Sequence, residues 1–212
     1  MSRARDIANL QSGGVINDGS ADLDFRIESN GLTHALFVDG GTDTVTIGTS
    51  STDAYSSADN LVVGTGSGHN GMTVFSANDS QGTVFFADAL GGDSDAGTYD
   101  GYIIYDHSAR HFRFGTAGAE GMRIDSSNRV LIGTTTEGEA TADNLTIADT
   151  GHCGITIRSG DDDVGTIFFS DATSGTAEYV GYVQYDHSGN FMKWQTNGAE
   201  RMRIDSSGNV GI

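Results

Sequence analysis

Proline is absent from all 212 residues, where ordinary usage of ~5% would supply about ten. Proline removes a ladder donor and is confined to sheet edges and bulges, so a chain without it suits strands paired on both sides. A single cysteine, Cys153, excludes an intrachain disulfide framework and a multi-cysteine metal cage. Basic residues are few: 11 Lys and Arg stand against 29 Asp and Glu, and the formal charge of −18 argues against nucleic acid or an anionic membrane surface as a partner. No apolar run approaches the ~18 residues that span a bilayer, and no signal-peptide pattern opens the chain, so a soluble protein without membrane insertion is expected. Large apolar side chains are also scarce. Only 44 residues are Leu, Ile, Val or Phe, about a fifth of the chain and near the composition at which charged chains stay disordered. Strand-like segments nevertheless run through most of the sequence. An oligomer that builds its core between chains reconciles the two facts.

What the chain has instead is 31 glycines and a repeat. ADNLVVGTGSGHNGMTVFSANDSQGTVFFADA at 58–89 returns as ADNLTIADTGHCGITIRSGDDDVGTIFFSDA at 142–172. YDGYIIYDHSARHFRFGTAGAEGMRIDSSNRVLI at 99–132 returns as YVGYVQYDHSGNFMKWQTNGAERMRIDSSGNVGI at 179–212. The offset is 83 residues before the loop at 91–100 and 80 after it, so that loop is longer than its counterpart at 174–179. A third, partial copy lies upstream at 23–51, with Phe25 on Phe112, Phe37 to Asp39 on Arg123 to Asp125, and Ile47 to Thr49 on Ile132 to Thr134.

Within a module the segments GMTVFSA, GTVFFAD, GYIIYDH, HFRFGT, GMRIDSS and RVLIGT are short, rich in Val, Ile, Phe and Tyr, and punctuated by Gly, Asp, Asn and Ser. That is the pattern of a strand meander. Only 2–11 reads as helical. The expected fold is all-β, as tandem modules of roughly 80 residues. The expected organisation is an N-terminal peptide (1–21), a partial module with its linker (22–57), module 1 with its linker (58–141) and module 2 (142–212). Met122 and Ile124 alternate with Arg123 and Asp125, as Met202 and Ile204 do with Arg203 and Asp205, predicting one apolar and one charged strand face. The apolar face needs a partner. Phe85, Met122, Ile124, Ile132, Ile147, Phe168, Met202 and Ile204 are the candidates for a core closed around a threefold axis.

The tetrapeptide YDHS at 105–108 and 185–188 sets an acid, an imidazole and a hydroxyl side by side, twice. A triad needs three groups converging in space, whereas neighbours in a strand or turn diverge. Asp opening a turn, with Gly189 or Asn190 supplying positive φ, makes YDHS a hairpin corner. Ala109 and Arg110 in the first copy predict either a different turn or strain. IDSS at 124–127 and 204–207 is read as a turn on the same logic. No catalytic residue and no enzymatic activity are expected.

Asp161, Asp162 and Asp163, with Asp93 and Asp95, carry carboxylates of the kind that bind Ca²⁺, but their spacing matches no EF-hand loop, and a solvated acidic loop is expected. His69, His152, His107 and His187 would form rings of three in a trimer, although turn or surface positions are the expected state. No metal and no cofactor are assigned. Phe112, Phe114, Phe191 and Trp194 suit either sugar stacking or a core, and the core is favoured.

GAERMRIDSSGNVGI, and DFRIESNGLTHALFVDGGTDTVTIGTSS upstream, resemble the repetitive shafts of bacteriophage tail fibres and related virion appendages, which often precede an endosialidase-type intramolecular chaperone domain. The resemblance covers about residues 22–212, and MSRARDIANL resembles the start of marine phage fibre proteins. It implies a homotrimeric fibre or knob on a virion, extracellular when mature. Its partners would be itself, a virion attachment protein through the N-terminal segment, and a host surface glycan or protein. The expected function is adhesion, with the loop candidates Asp93, Asp95, Tyr99, Thr176 and Glu178 as the contact surface. A head fibre or capsid decoration protein, a surface-glycan depolymerase and a calcium-dependent adhesin are the rival readings.

Overall fold

The computed structural model describes residues 25–50, 54, 57–91 and 96–212. The predicted N-terminal helix and attachment peptide lie outside the described residues, as do Asp93 and Asp95. Among the described residues, fifteen short strands and two single 3₁₀ turns make up the regular structure, and the fold is all-β.

By contacts, the chain divides into two compact units: residues up to Val84 with Tyr105–Ser108, and Phe85–Ile104 with Ala109–Ile212. In the first unit β1 (Phe25–Ile27), β2 (Leu36–Asp39), β3 (Thr44–Ile47) and β4 (Leu61–Val63) form a four-stranded sheet in sequential order. A six-stranded sheet follows the order β10-β9-β8-β7-β6-β5. Its strands are β5 (Gln81–Phe86), β6 (Gly101–Asp106), β7 (His111–Thr116), β8 (Ala119–Ile124), β9 (Val130–Ile132) and β10 (Leu145–Ile147). In the second unit β11 (Val164–Phe169), β12 (Gly181–Asp186), β13 (Phe191–Thr196), β14 (Ala199–Ile204) and β15 (Val210–Gly211) form a five-stranded meander.

The sequence repeat is a repeat of register. Phe25 pairs with Val38, Phe112 with Ile124, and Met192 with Ile204, each at the equivalent position of its copy. Phe37 opposite Thr46, Arg123 opposite Leu131 and Arg203 opposite Gly211 continue the match. The irregularity between Phe114 and Gly115 recurs between Trp194 and Gln195. A bulge fixed at one point pins the pairing on either side of it.

Sheets cross the sequence boundaries of the modules. β4 and β10, the opening strands of modules 1 and 2, pair in parallel with β3 and β9 of the preceding copy. A parallel pair needs a crossover of about a dozen residues or more, and the connectors at 48–60 and 133–144 supply it. The second crossover closes tightly: a Cβ on Gly133, at φ +71°, would lie 2.2 Å from the carbonyl oxygen of Ala148. Only glycine fits that position.

Local turn chemistry explains the hairpins. Ala117 and Gly118 (φ 52° and 69°), like Asn197 and Gly198 (φ 51° and 70°), form two-residue turns with both residues at positive φ, the type I′ geometry that matches strand twist. The β2–β3, β8–β9 and β14–β15 turns place Asp43, Asn128 and Gly208 at φ 57°, 64° and 83°. All three belong to the small set of residues that tolerate the left-handed region.

One expectation needs correcting. GMTVFSA at 71–77 and its counterpart at 154–159 are not strands; both lie outside the three sheets. They run alongside β5 and β11, where Val74 and Ile157 side chains come within 3.4 Å of the Cβ position of Gly82 and Gly165. The loops near 91–100 and 174–179 contain single 3₁₀ turns, Ala96–Tyr99 and Gly175–Tyr179. The strand face that carries the charged Arg123 also carries Leu131, which lies opposite it and is 1% exposed. Arg123 can sit there because its Nη2 and Nε both bond Glu120, so a neutralised pair lies beside the buried leucine.

Candidate functional site

The two YDHS segments are hairpin corners. His107 to Arg110 turn between β6 and β7, and His187 to Asn190 turn between β12 and β13. The same turn forms in both, with Arg110 at φ 54° where Asn190 stands at φ 51°, so the first copy carries backbone strain and does not change turn type. Asp186 Oδ1 accepts from the Gly189 amide at 2.7 Å, while Asp106 Oδ1 accepts directly from Ser108 Oγ at 2.8 Å. Each imidazole leans edge-on against the tyrosine before it, Tyr105–His107 and Tyr185–His187, both with ring centroids 4.9 Å apart. The histidine therefore does not stand between acid and hydroxyl, and its amide ties the corner to Ser80 or Asp163.

The IDSS segments are aspartate turns. Asp125 Oδ1 accepts from Ser127 N and Arg129 N, and Asp205 Oδ1 from Ser207 N and Asn209 N, at 2.9–3.0 Å. Burial pushes the Asp125 carboxyl up, but the Arg129 and Ser127 donors outweigh it and hold it below the usual aspartate range. The Asn209 side-chain amide and backbone N–H, with the Ser207 and Gly208 amides, hold Asp205 low as well. The GAE-R-M-R segments repeat one ion pair, Arg123 with Glu120 and Arg203 with Glu200, and the Arg203 bond lowers the Glu200 pKa. These charges are absorbed by local structure.

Of the loop candidates, Thr176 and Glu178 are exposed on the Gly175–Tyr179 turn. Tyr99 is half-buried, with its ring 3.4 Å from the Cβ position of Gly118, so it packs on the β7–β8 turn. Among the described residues no group of three His, Cys, Asp or Glu side chains gathers as a metal site would require. His69 and His152 are exposed.

The arrangement that recurs is apolar. None of the proposed core residues is buried within the chain: Phe85 and Phe168 are 50% and 53% exposed, and Met122, Ile124, Met202 and Ile204 are half-buried. Phe112, read as core, is 42% exposed and stacks on Phe114. Exposure falls on equivalent positions of the two modules, with Val84, Phe85 and Phe86 matching Ile167, Phe168 and Phe169, and Met72 and Val74 matching Ile155 and Ile157. In the second module Ile155, Ile157, Ile167, Val183, Tyr185 and Met192 line an open apolar cleft of about 290 Å³.

Among the described residues the buried hydrophobic side chains are Phe37, Tyr102, Ile104 and Leu131. Sequence reasoning missed all four as core residues. Tyr102 lies over Gly115, where an added Cβ would come within 2.1 Å of its ring, and that large–small pairing across strands was the available signal. Among the described residues no helix is long and apolar enough to cross a membrane. No family model and no curated protein matches the chain.

Proposed function

We propose that the chain is a structural virion protein of a tailed bacteriophage, a homotrimeric β-module fibre or spike that presents a host-recognition surface. The observation that carries this reading is the matched exposure of apolar side chains at equivalent positions of both modules. Contiguous exposed apolar surface marks an interaction surface, and a pattern repeated along a chain calls for a partner with the same repeat. A second and third copy around one axis meet that demand, covering the Phe85–Phe86 and Phe168–Phe169 rows and giving the 71–77 and 154–159 segments strands to pair with. Adhesion suits such an object better than turnover. Its YDHS and IDSS motifs serve turns, and several copies on one particle convert weak surface contacts into stable attachment.

The test is binding of the purified, assembled protein to a panel of bacterial envelope preparations. Saturable binding to at least one, with protection of those cells from phage adsorption, is the expected result. Release of soluble sugar in proportion to added protein would replace the adhesin with a depolymerase.

A further inference from the structure

Three copies of the β-hairpin end in equivalent strands, β3, β9 and β15, and two of these receive a further strand in parallel. The incoming strands β4 and β10 both follow the same residues, Ala58-Asp59-Asn60-Leu61 and Ala142-Asp143-Asn144-Leu145. They are fastened identically. Val45 N and Val130 N donate to the carbonyls of Asn60 and Asn144 at 2.9 and 2.8 Å, and Gly64 N and Ala148 N donate to Ile47 and Ile132 at 2.9 and 3.0 Å. β15 holds the same register against β14, yet it is the edge of its sheet.

The uncovered edge differs from the covered ones in the expected way. Val210 is 58% exposed, whereas Val45 and Val130 are half-buried. Gly211 has open space where a side chain would stand, at the position where Thr46 and Leu131 are 0% and 1% exposed. An open cleft of about 420 Å³ runs along it, lined by residues that include Arg201, Arg203, Asp205, Val210 and Ile212. At the β9 edge Arg129 Nη1 holds the incoming Asp143 at 2.8 Å. Asn209 replaces that arginine, so in this copy the aspartate would meet a neutral side-chain amide.

We propose that the β15 edge is a docking site for one more parallel strand, the Ala-Asp-Asn-Leu opening strand of a further module of this same repeat. The strand would accept from Val210 N through its asparagine carbonyl, donate to the Ile212 carbonyl, and set its aspartate beside Asn209, which stands where Arg129 holds Asp143. This is strand addition to a sheet edge, in which main-chain bonds supply affinity and the alternate side chains supply selectivity. Docking at this edge does not require the virion assignment.

The probe is the synthetic peptide ATADNLTIADT, added at millimolar concentration to the chain and, separately, fused after Ile212 behind a copy of residues 133–139. Amide hydrogen exchange at Val210 is the readout. In the fused chain the Val210 amide should slow at least tenfold, toward the rate of Val130, and free peptide should slow it saturably. Proline at the positions of Thr146 and Ala148 removes ladder donors and should abolish both effects. A Val210 amide that exchanges equally fast in the fused chain and in its proline control overturns the proposal. So does equal protection by both peptides.

Discussion

Modules 1 and 2 share a register and differ in what fills it. Ile104 and Leu131 pack one face of module 1, and the equivalent positions of module 2 hold Gln184 and Gly211. Gln184 is as buried as a core residue and bonds Thr166 Oγ1 at 2.9 Å. Arg203 lies 4.0 Å from the Phe191 ring, and Lys193 Nζ stands 5.3 Å from the Tyr182 ring. One copy thus packs the face with aliphatic carbon, and the other with hydrogen bonds and cation–π contacts. The backbone is the same because turns and bulges set it. The filling is free to vary because so little of it is deeply buried.

The largest expected effect separates the two fillings. Leu131→Ala should destabilise by about 2–5 kcal/mol in urea melts, the cost of a cavity at a fully buried leucine. Gly211→Ala, in open space, should change little. Equal effects at the two sites would mean that the two fillings are energetically alike.

Gly133→Ala comes next, because the new Cβ meets the Ala148 carbonyl and the backbone stands at φ +71°. A loss of about 2–3 kcal/mol is expected, with faster amide exchange across β9 and β10. At the turns the two modules differ in the opposite direction. Module 2 has Asn at both strained non-glycine positions where module 1 has Ala117 and Arg110. Ala117→Asn and Arg110→Asn should each stabilise by about 0.5–1 kcal/mol, and Asn197→Ala should reverse the first gain.

The smallest effect is acid sensitivity. Asp125, Asp205 and Glu200 have folded pKa values below their ordinary ones, so their contribution is complete above the unfolded values, near ~4, and is lost as pH falls through the folded values. The melting temperature should be flat from neutral pH to about 5 and fall below about 4. Asp205→Asn should flatten that fall.

Much of this was legible in the sequence. The all-β class, the turn reading of YDHS and IDSS, and strain as one of the two alternatives at Arg110 follow from local chemistry, which acts over a few residues. The failures have one physical source. GMTVFSA has a strand's pattern, but a strand needs a ladder partner, and pattern cannot tell whether that partner lies in the same chain. Leu131 escaped notice because it alternates with Val130 and Ile132 and sits opposite Arg123, whose charge is cancelled by Glu120 three residues away. The strand that crosses from one module to the sheet of the preceding one was hidden for the same reason, since ADNL marks where a repeat begins and not where its strand pairs.

The proposed trimer rests on apolar rows that one chain leaves uncovered. Absolute mass by light scattering during size-exclusion chromatography, at moderate salt, tests it most directly. A particle of three chains of 22.1 kDa each is the predicted result, loosening at low ionic strength because every chain carries −18. A single 22.1 kDa chain that keeps its β-sheet signal would contradict it.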